Sequence, residues 1–230
     1  MKARNTEHPI LFSTPMVQAI LEERKTMTRR IVTKVNFFNN PSIEFAGLTD
    51  GDSFAHFKGK NDSESCAGSI CPFGKPGDKL WVKEMYYAYG YWEQKGKTKT
   101  GKNKYSFVDC TGIDFVYKYQ ENKPQRLQTG KTYKMGWYKR SSMFMPRKAS
   151  RLLLEITNIR VECLHNISEA DAMSEGAEAL TNMHSSVKFS SREPNYRTGF
   201  ASIWMKINGE ESWKSNPWVW VIEFKRINNQ

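Results

Sequence analysis

Residues 14–32 read TPMVQAILEERKTMTRRIV, and the change of period along this stretch sets the expectation for the fold. Thr14 can cap a helix, and Pro15 stands at its first position, where a missing N–H costs nothing. Val17, Ile20 and Leu21 recur at helical spacing, which predicts an amphipathic helix from Pro15 to about Arg24. Lys25–Arg30 leads out of it, and Ile31 and Val32 open a strand. Lys25 and Thr28 stand three residues apart, so a helical turn persisting to Thr28 would put both on one face.

Outward from this stretch, Ile10–Ser13 is short and apolar. Residues 36–70 are rich in Asn, Asp, Ser and Gly and read as a long polar insertion. A turn at Pro76, Gly77 and Asp78 precedes a strand over Lys79–Tyr87, with Leu80 and Val82 on one face. A basic insertion covers 88–144, with Asp114–Tyr119 as a strand inside it. Regular structure resumes at Pro146. Leu152–Cys163 reads as a long strand bent at Asn158. Ser168 caps a helix, with Asp171 as its capping-box partner and Gly176 as its stop. Residues 181–197 are polar and irregular. Phe200, Ile203, Trp204 and Ile207 then make a helical stripe that ends at Gly209, and Pro217 precedes a closing strand, Trp218–Lys225. Five or six strands against three short helices, with no βαβ alternation and no repeat, predict an α+β chain. The expected form is a small mixed β-barrel with flanking helices, one domain over 1–230 whose core lies at about 9–35, 71–88 and 145–226.

Composition narrows the function classes. The 230 residues include 35 Lys or Arg and 24 Asp or Glu, a net charge of +11, with 39% hydrophobic and 13% aromatic residues. That is too apolar for a disordered chain. No apolar run approaches the ~20 residues of a membrane helix, and Met1–Pro9 carries no signal-peptide core, so a cytoplasmic protein without a membrane partner is expected. From Lys95 to Arg151 there are 15 Lys or Arg against three acids, a net of +12, so the remainder is close to neutral. A basic sector on a neutral body suits a polyanion. Tyr105, Phe107, Tyr117, Tyr119, Tyr133, Trp137 and Tyr138 lie in it and could stack on unpaired bases. The bland alternative is a solvated lysine-rich loop.

Most familiar chemistries are absent. Gly96–Lys102 has P-loop spacing, but Asn103 stands where Ser or Thr should hold magnesium. Cys66 and Cys71 are close in sequence while Cys110 and Cys163 stand alone, and His8, His56, His165 and His184 show no paired-ligand spacing, so neither a metal nor a cofactor is expected. What survives is the cluster around Lys25. Arg24, Arg29 and Arg30 disfavour a charged amine beside them. A partly neutral Lys25 could take the proton of the Thr28 hydroxyl, which would act as nucleophile. On spacing alone the same residues read better as a cationic helix end favoured by the helix dipole, a common surface feature.

Four blocks in this order carry a resemblance: Glu23-Arg-Lys25-Thr-x-Thr28-x-Arg30 after an amphipathic helix, Gly77-Asp78 leading a strand, Ser168 to Gly176, and the final strand Trp220–Phe224. Together they resemble the ASCH domain family, within the PUA-like superfamily of small β-barrels linked to RNA. The chain is also similar to a group of phage and prophage proteins of this kind through Cys71–Glu84, Met145–Arg151 and Asn216–Phe224, which would place it in a host cytoplasm. One bacterial branch comprises N4-acetylcytidine amidohydrolases, in which a lysine, a threonine and a glutamate react. Position by position these fall on Lys25, Thr28 and Glu175. The resemblance implies that Thr28 attacks the acetyl carbonyl, Lys25 takes its proton and Glu175 protonates the leaving amine, with Arg30 near the oxyanion. Arg29, Arg30, Glu84, Arg147, Ser150 and Arg151 are the expected substrate-binding residues, Glu84 being the rival acid. Glu23 stands where the amidohydrolases have glycine. The implied partner is a nucleoside or nucleic acid, RNA ahead of DNA. The alternatives are a non-catalytic RNA- or DNA-binding module and a metal-independent ribonuclease.

Overall fold

The computed structural model describes residues 6–33, 43–49, 53–59, 67–112, 114–180 and 194–228. Strands dominate. In chain order they are β1 (Glu7–Leu11), β2 (Met27–Ile31), β3 (Ile43–Thr49), β4 (Phe54–Gly59), β5 (Ala67–Ile70), β6 (Lys79–Lys83), β7 (Tyr86–Lys97), β8 (Asn103–Asp109), β9 (Gly136–Arg140), β10 (Leu153–Cys163) and β11 (Trp218–Ile227). The helices are α1 (Thr14–Leu21), α2 (Glu169–Ser174), α3 (Tyr196–Asn208) and α4 (Glu210–Lys214). No helix among the described residues is long and apolar enough to cross a membrane. By packing, the chain forms two compact units: Met1–Pro9, Gln18–Trp81 and Leu152–Gln230 make one, and Ile10–Val17 with Val82–Arg151 the other.

The first unit is organised by a five-stranded sheet in the order β1-β6-β10-β11-β2. Its long central pair, β10 and β11, is antiparallel, with Val161 opposite Trp220 and a register shift between Ile156 and Asn158, where the sequence predicts a bend. β11 then pairs with β2, setting Ile222 opposite Thr28 and Val221 opposite Arg29. Val219 and Val221 share one sheet face, as a period of two requires. They pack with Met27, Leu164, Ala172, Phe200, Trp204 and Trp213 into a core under α2, α3 and α4. Ser168 caps α2 by accepting from the Asp171 N–H at 3.0 Å, and Asn195 caps α3 through the Thr198 N–H. Gly209 ends α3 as predicted, but Ile207 is exposed, so the buried stripe closes at Trp204.

Four expectations change. The chain is α+β, but its sheets are not closed into a barrel: β1 and β2 are the two edges of an open five-stranded sheet. The polar insertion at 36–70 contains an antiparallel sheet, β3-β4-β5, whose Phe45 and Phe57 rings meet Trp218 at 6.1 and 5.7 Å. The basic insertion holds another, β8-β7-β9. Both escape a reading by period because their apolar runs, such as Phe54–Phe57 and Tyr86–Trp92, are short and interrupted by Gly or polar residues. Conversely, Asp114–Tyr119 forms no strand; only Lys118 bridges to Tyr87. Cys66, His184 and most of the 181–197 stretch lie outside the described residues.

In the second unit, Tyr86, Ala88, Met145 and Ala149 form a small core with Phe107, Tyr117 and Tyr119 packed on it. β7 and β8 continue beyond this core as a two-stranded arm. Gly96–Lys102, with its P-loop-like spacing, is the end of β7 and the turn of this hairpin, closed by the Thr98 N–H on Lys102 O at 2.7 Å and by Gly101 at φ 79°.

Candidate functional site

The helix ends earlier than its sequence predicts, and this decides the geometry around Lys25. α1 stops at Leu21, and Glu23 adopts φ 60°, a left-handed value that glycine takes without strain. Arg24 and Lys25 then both donate their backbone N–H to Ala19 O, at 2.9 and 3.0 Å. Lys25 and Thr28 are therefore not a helical pair. Thr28 lies in β2, where alternation puts it and Arg30 on the face opposite Met27 and Arg29.

Lys25 reaches across 150 residues of sequence to the end of α2. Its ammonium donates to Met27 O at 2.7 Å, Glu175 O at 2.8 Å and Glu175 Oε2 at 2.7 Å. Three N–H groups thus meet three acceptors on Met27 and Glu175. The Lys25 side chain is 0% exposed and that of Glu175 is 5% exposed. Gly176 permits this approach. It sits at φ 76°, and a Cβ there would lie 3.0 Å from the Ala19 Cβ and 3.1 Å from the Lys25 Cβ. The Glu175-Gly176 pair thus serves as turn, spacer and partner together.

Arg29 builds the second half of the cluster. Its Nη2 donates to Glu162 Oε1 at 2.5 Å and Asp171 Oδ2 at 2.7 Å, and its Nη1 reaches Glu175 Oε1 at 3.4 Å. The guanidinium also lies 5.7 Å from the centroid of Phe200. Arg160 shares two of these carboxylates, reaching Asp171 at 2.9 Å and Glu162 at 3.4 Å, and also bonds Glu223. Burial pushes the Lys25 amine below its ordinary pKa, with Glu175 opposing. Burial lowers Arg30 as well, again against the pull of Glu175. For Arg29 burial also opposes the charge, but Glu175, Glu162 and Asp171 outweigh it and hold the guanidinium above its ordinary value.

The remaining expected site residues lie in the second unit and have internal partners. Glu84 is buried and held by a two-point contact from Arg151, Nε to Oε1 at 2.8 Å and Nη2 to Oε2 at 2.9 Å. Arg151 also bonds Glu121 at 3.0 Å and covers the Tyr119 ring at 4.0 Å. Burial raises the Glu84 pKa despite Arg151, and burial pushes Tyr119 up to about 12. Ser150 Oγ donates to Val82 O at 2.9 Å. Arg147 begins a short 3-10 turn after Pro146 and is half-buried. Arg151 thus holds its guanidinium between two carboxylates of its own unit.

Sequence reasoning missed Glu162, Arg160 and Glu223, and took Asp171 only as a cap partner. The signal was present in β10, where Arg160 and Glu162 stand two apart and so share a sheet face. Among the described residues, no group of three or more His, Cys, Asp or Glu is arranged to hold a metal ion. Comparison of the chain with protein-family models, curated proteins and solved structures finds no match.

Proposed function

We propose that this chain is a nucleic-acid-binding protein of ASCH, PUA-like type that engages RNA or DNA through its second unit. The observation that carries this reading is where the charge falls. The second unit contains 16 Lys or Arg and 5 acids, a net of +11, while the first contains 19 of each and is neutral. The entire excess therefore belongs to one compact unit. Lys95, Lys97, Lys99, Lys102 and Lys104 are exposed along the β7–β8 arm. A polyanion releases counterions when such lysines meet its phosphates, so binding should weaken linearly in log salt. Fluorescence anisotropy with labelled RNA and DNA between ~50 and ~200 mM salt tests this. Salt-indifferent binding, or none, overturns it.

A second reading, amide hydrolysis on N4-acetylcytidine, is favoured by the convergence of Lys25 and Glu175. As an ion pair they hold the wrong protons for the reaction. Transfer of one proton from Nζ to Oε2 would yield a neutral amine and a neutral acid, the base and acid required, and burial lowers the Lys25 pKa in the direction of the neutral amine. Thr28 Oγ would then bond to the acetyl carbon as Lys25 takes its proton. The C–N bond breaks as Glu175 protonates the cytosine amine, and water releases acetate from the threonine. The obstacle is that all three Lys25 donors are occupied and the side chain is buried, so a substrate would first have to open the cluster. Release of cytidine from N4-acetylcytidine, abolished in Lys25→Arg, supports this reading; no turnover by the intact chain removes it.

A further inference from the structure

The sheet β8-β7-β9 presents two faces, and its aromatic rings are used differently on each. On the face of Trp92, Phe107 and Tyr138, the Arg140 guanidinium lies 4.6 Å from the Trp92 centroid and 4.3 Å from that of Phe107. Those rings already carry a cation. On the other face, Tyr89 of β7 lies opposite Trp137 of β9, edge to face at 5.5 Å. Phe115 lies flat on Tyr89, with centroids 3.8 Å apart and planes 7° from parallel, and Trp137 meets it edge-on at 6.1 Å. Phe115 is nevertheless 38% exposed, and its neighbour Val116 is 65% exposed.

This exposed ring is held in place. Phe115 O accepts from the Gly112 N–H at 2.8 Å, and Lys118 is tied to Tyr87 by two backbone bonds of 2.8 and 3.1 Å. Cations flank it. Lys118 Nζ lies 5.0 Å over the Trp137 ring, and Lys139, exposed, follows Trp137 on the same sheet face. A parallel two-ring stack whose outer ring is 38% exposed, backed by a hydrogen-bonded sheet and bordered by lysines, matches what an unpaired nucleobase and its phosphate need. Bases inside a duplex are stacked on each other and cannot reach such a ring.

We infer that the second unit takes its nucleic acid as a single strand, with one base stacked on Phe115 and the adjoining phosphates met by Lys118 and Lys139. This rests on the nucleic-acid reading above and narrows it to unpaired strands. Short RNA and DNA oligonucleotides, each single-stranded and duplex, are titrated by anisotropy, and a strand containing 2-aminopurine reports stacking by quenching. The wild type should bind single strands of either sugar more tightly than duplexes and quench the probe. Phe115→Ala should lose roughly tenfold or more in single-strand affinity, the scale of an aromatic–base stack, with an unchanged salt slope. Phe115→Leu, which keeps apolar cover over Tyr89, should fold normally but lose the quenching, and Phe115→Tyr should keep both affinity and quenching. Unaltered affinity and quenching in Phe115→Leu, or a preference for duplex, overturns the inference while leaving the nucleic-acid reading in place. Absence of salt-dependent binding to every oligonucleotide removes both.

Discussion

The neutral unit and the basic unit spend their charged residues in opposite directions. In the neutral unit Lys25 and Arg29 have side chains with no exposed surface, and each is enclosed by carboxylates or carbonyls brought from β10, α2 and β2. In the basic unit the lysines of the β7–β8 arm stand in solvent, where most have no carboxylate within the same strand pair; Lys95 with Glu93 at 2.7 Å is the exception. Inward charges fix one arrangement of chain segments, because each buried ion is costly unless its partners are in place. Outward charges stabilise little and remain available to a partner. The same residue types are thus enclosed by partners in one unit and left in solvent in the other.

The strongest way to break this contrast is Lys25→Met. It should cost the neutral unit about 3–5 kcal/mol in urea denaturation, because Glu175 stays buried without its main partner. Adding Glu175→Gln should restore part of that loss. A single variant as stable as wild type would make the cluster dispensable. Gly176→Ala comes next, at roughly 1–3 kcal/mol, since the new Cβ meets Ala19 and Lys25 and the backbone is left-handed. Thermal denaturation should show the loss, and Gly176→Asn, more tolerant of that conformation, should lose less.

A smaller effect follows from Glu84. Its carboxyl holds its proton more tightly in the folded chain than in the unfolded one. Its contribution is therefore fully present below the ordinary glutamate pKa of about 4.3 and is lost as pH rises through the raised value. Glu84→Gln should flatten the dependence of the thermal midpoint on pH over that window; an unchanged profile would mean that Glu84 does not carry it. The smallest change in stability should come from the arm. Converting Lys97, Lys99 and Lys102 to Gln should alter unfolding free energy by no more than about 0.5 kcal/mol each. The same substitutions should lower the salt slope of nucleic-acid binding by roughly one for each lysine in contact. A large loss of stability instead would place these lysines with the inward charges of the other unit.

Much of this protein follows from local sequence. The cap at Ser168, the stop at Gly176, the bend near Asn158, the helix over Phe200 and Trp204 and the last strand all depend on side chains within a turn or on a period of two or 3.6, and all lie where the sequence puts them. Charge segregation is equally legible, because it is a count along the chain. Tertiary structure decided the rest. The end of α1 moved back to Leu21 because the chain must turn at Glu23 to let Lys25 meet Glu175, and that turn replaced the helical Lys25–Thr28 pairing with strand alternation. The sheets inside the two insertions are built on the hairpins β3–β4 and β7–β8, whose apolar runs are broken by Gly and polar residues, while β9 joins from farther along the chain, with Arg140 opposite Tyr86. The enclosure of Arg29 by Glu162, Asp171 and Glu175 joins residues more than 130 positions away, and no periodicity reaches that far.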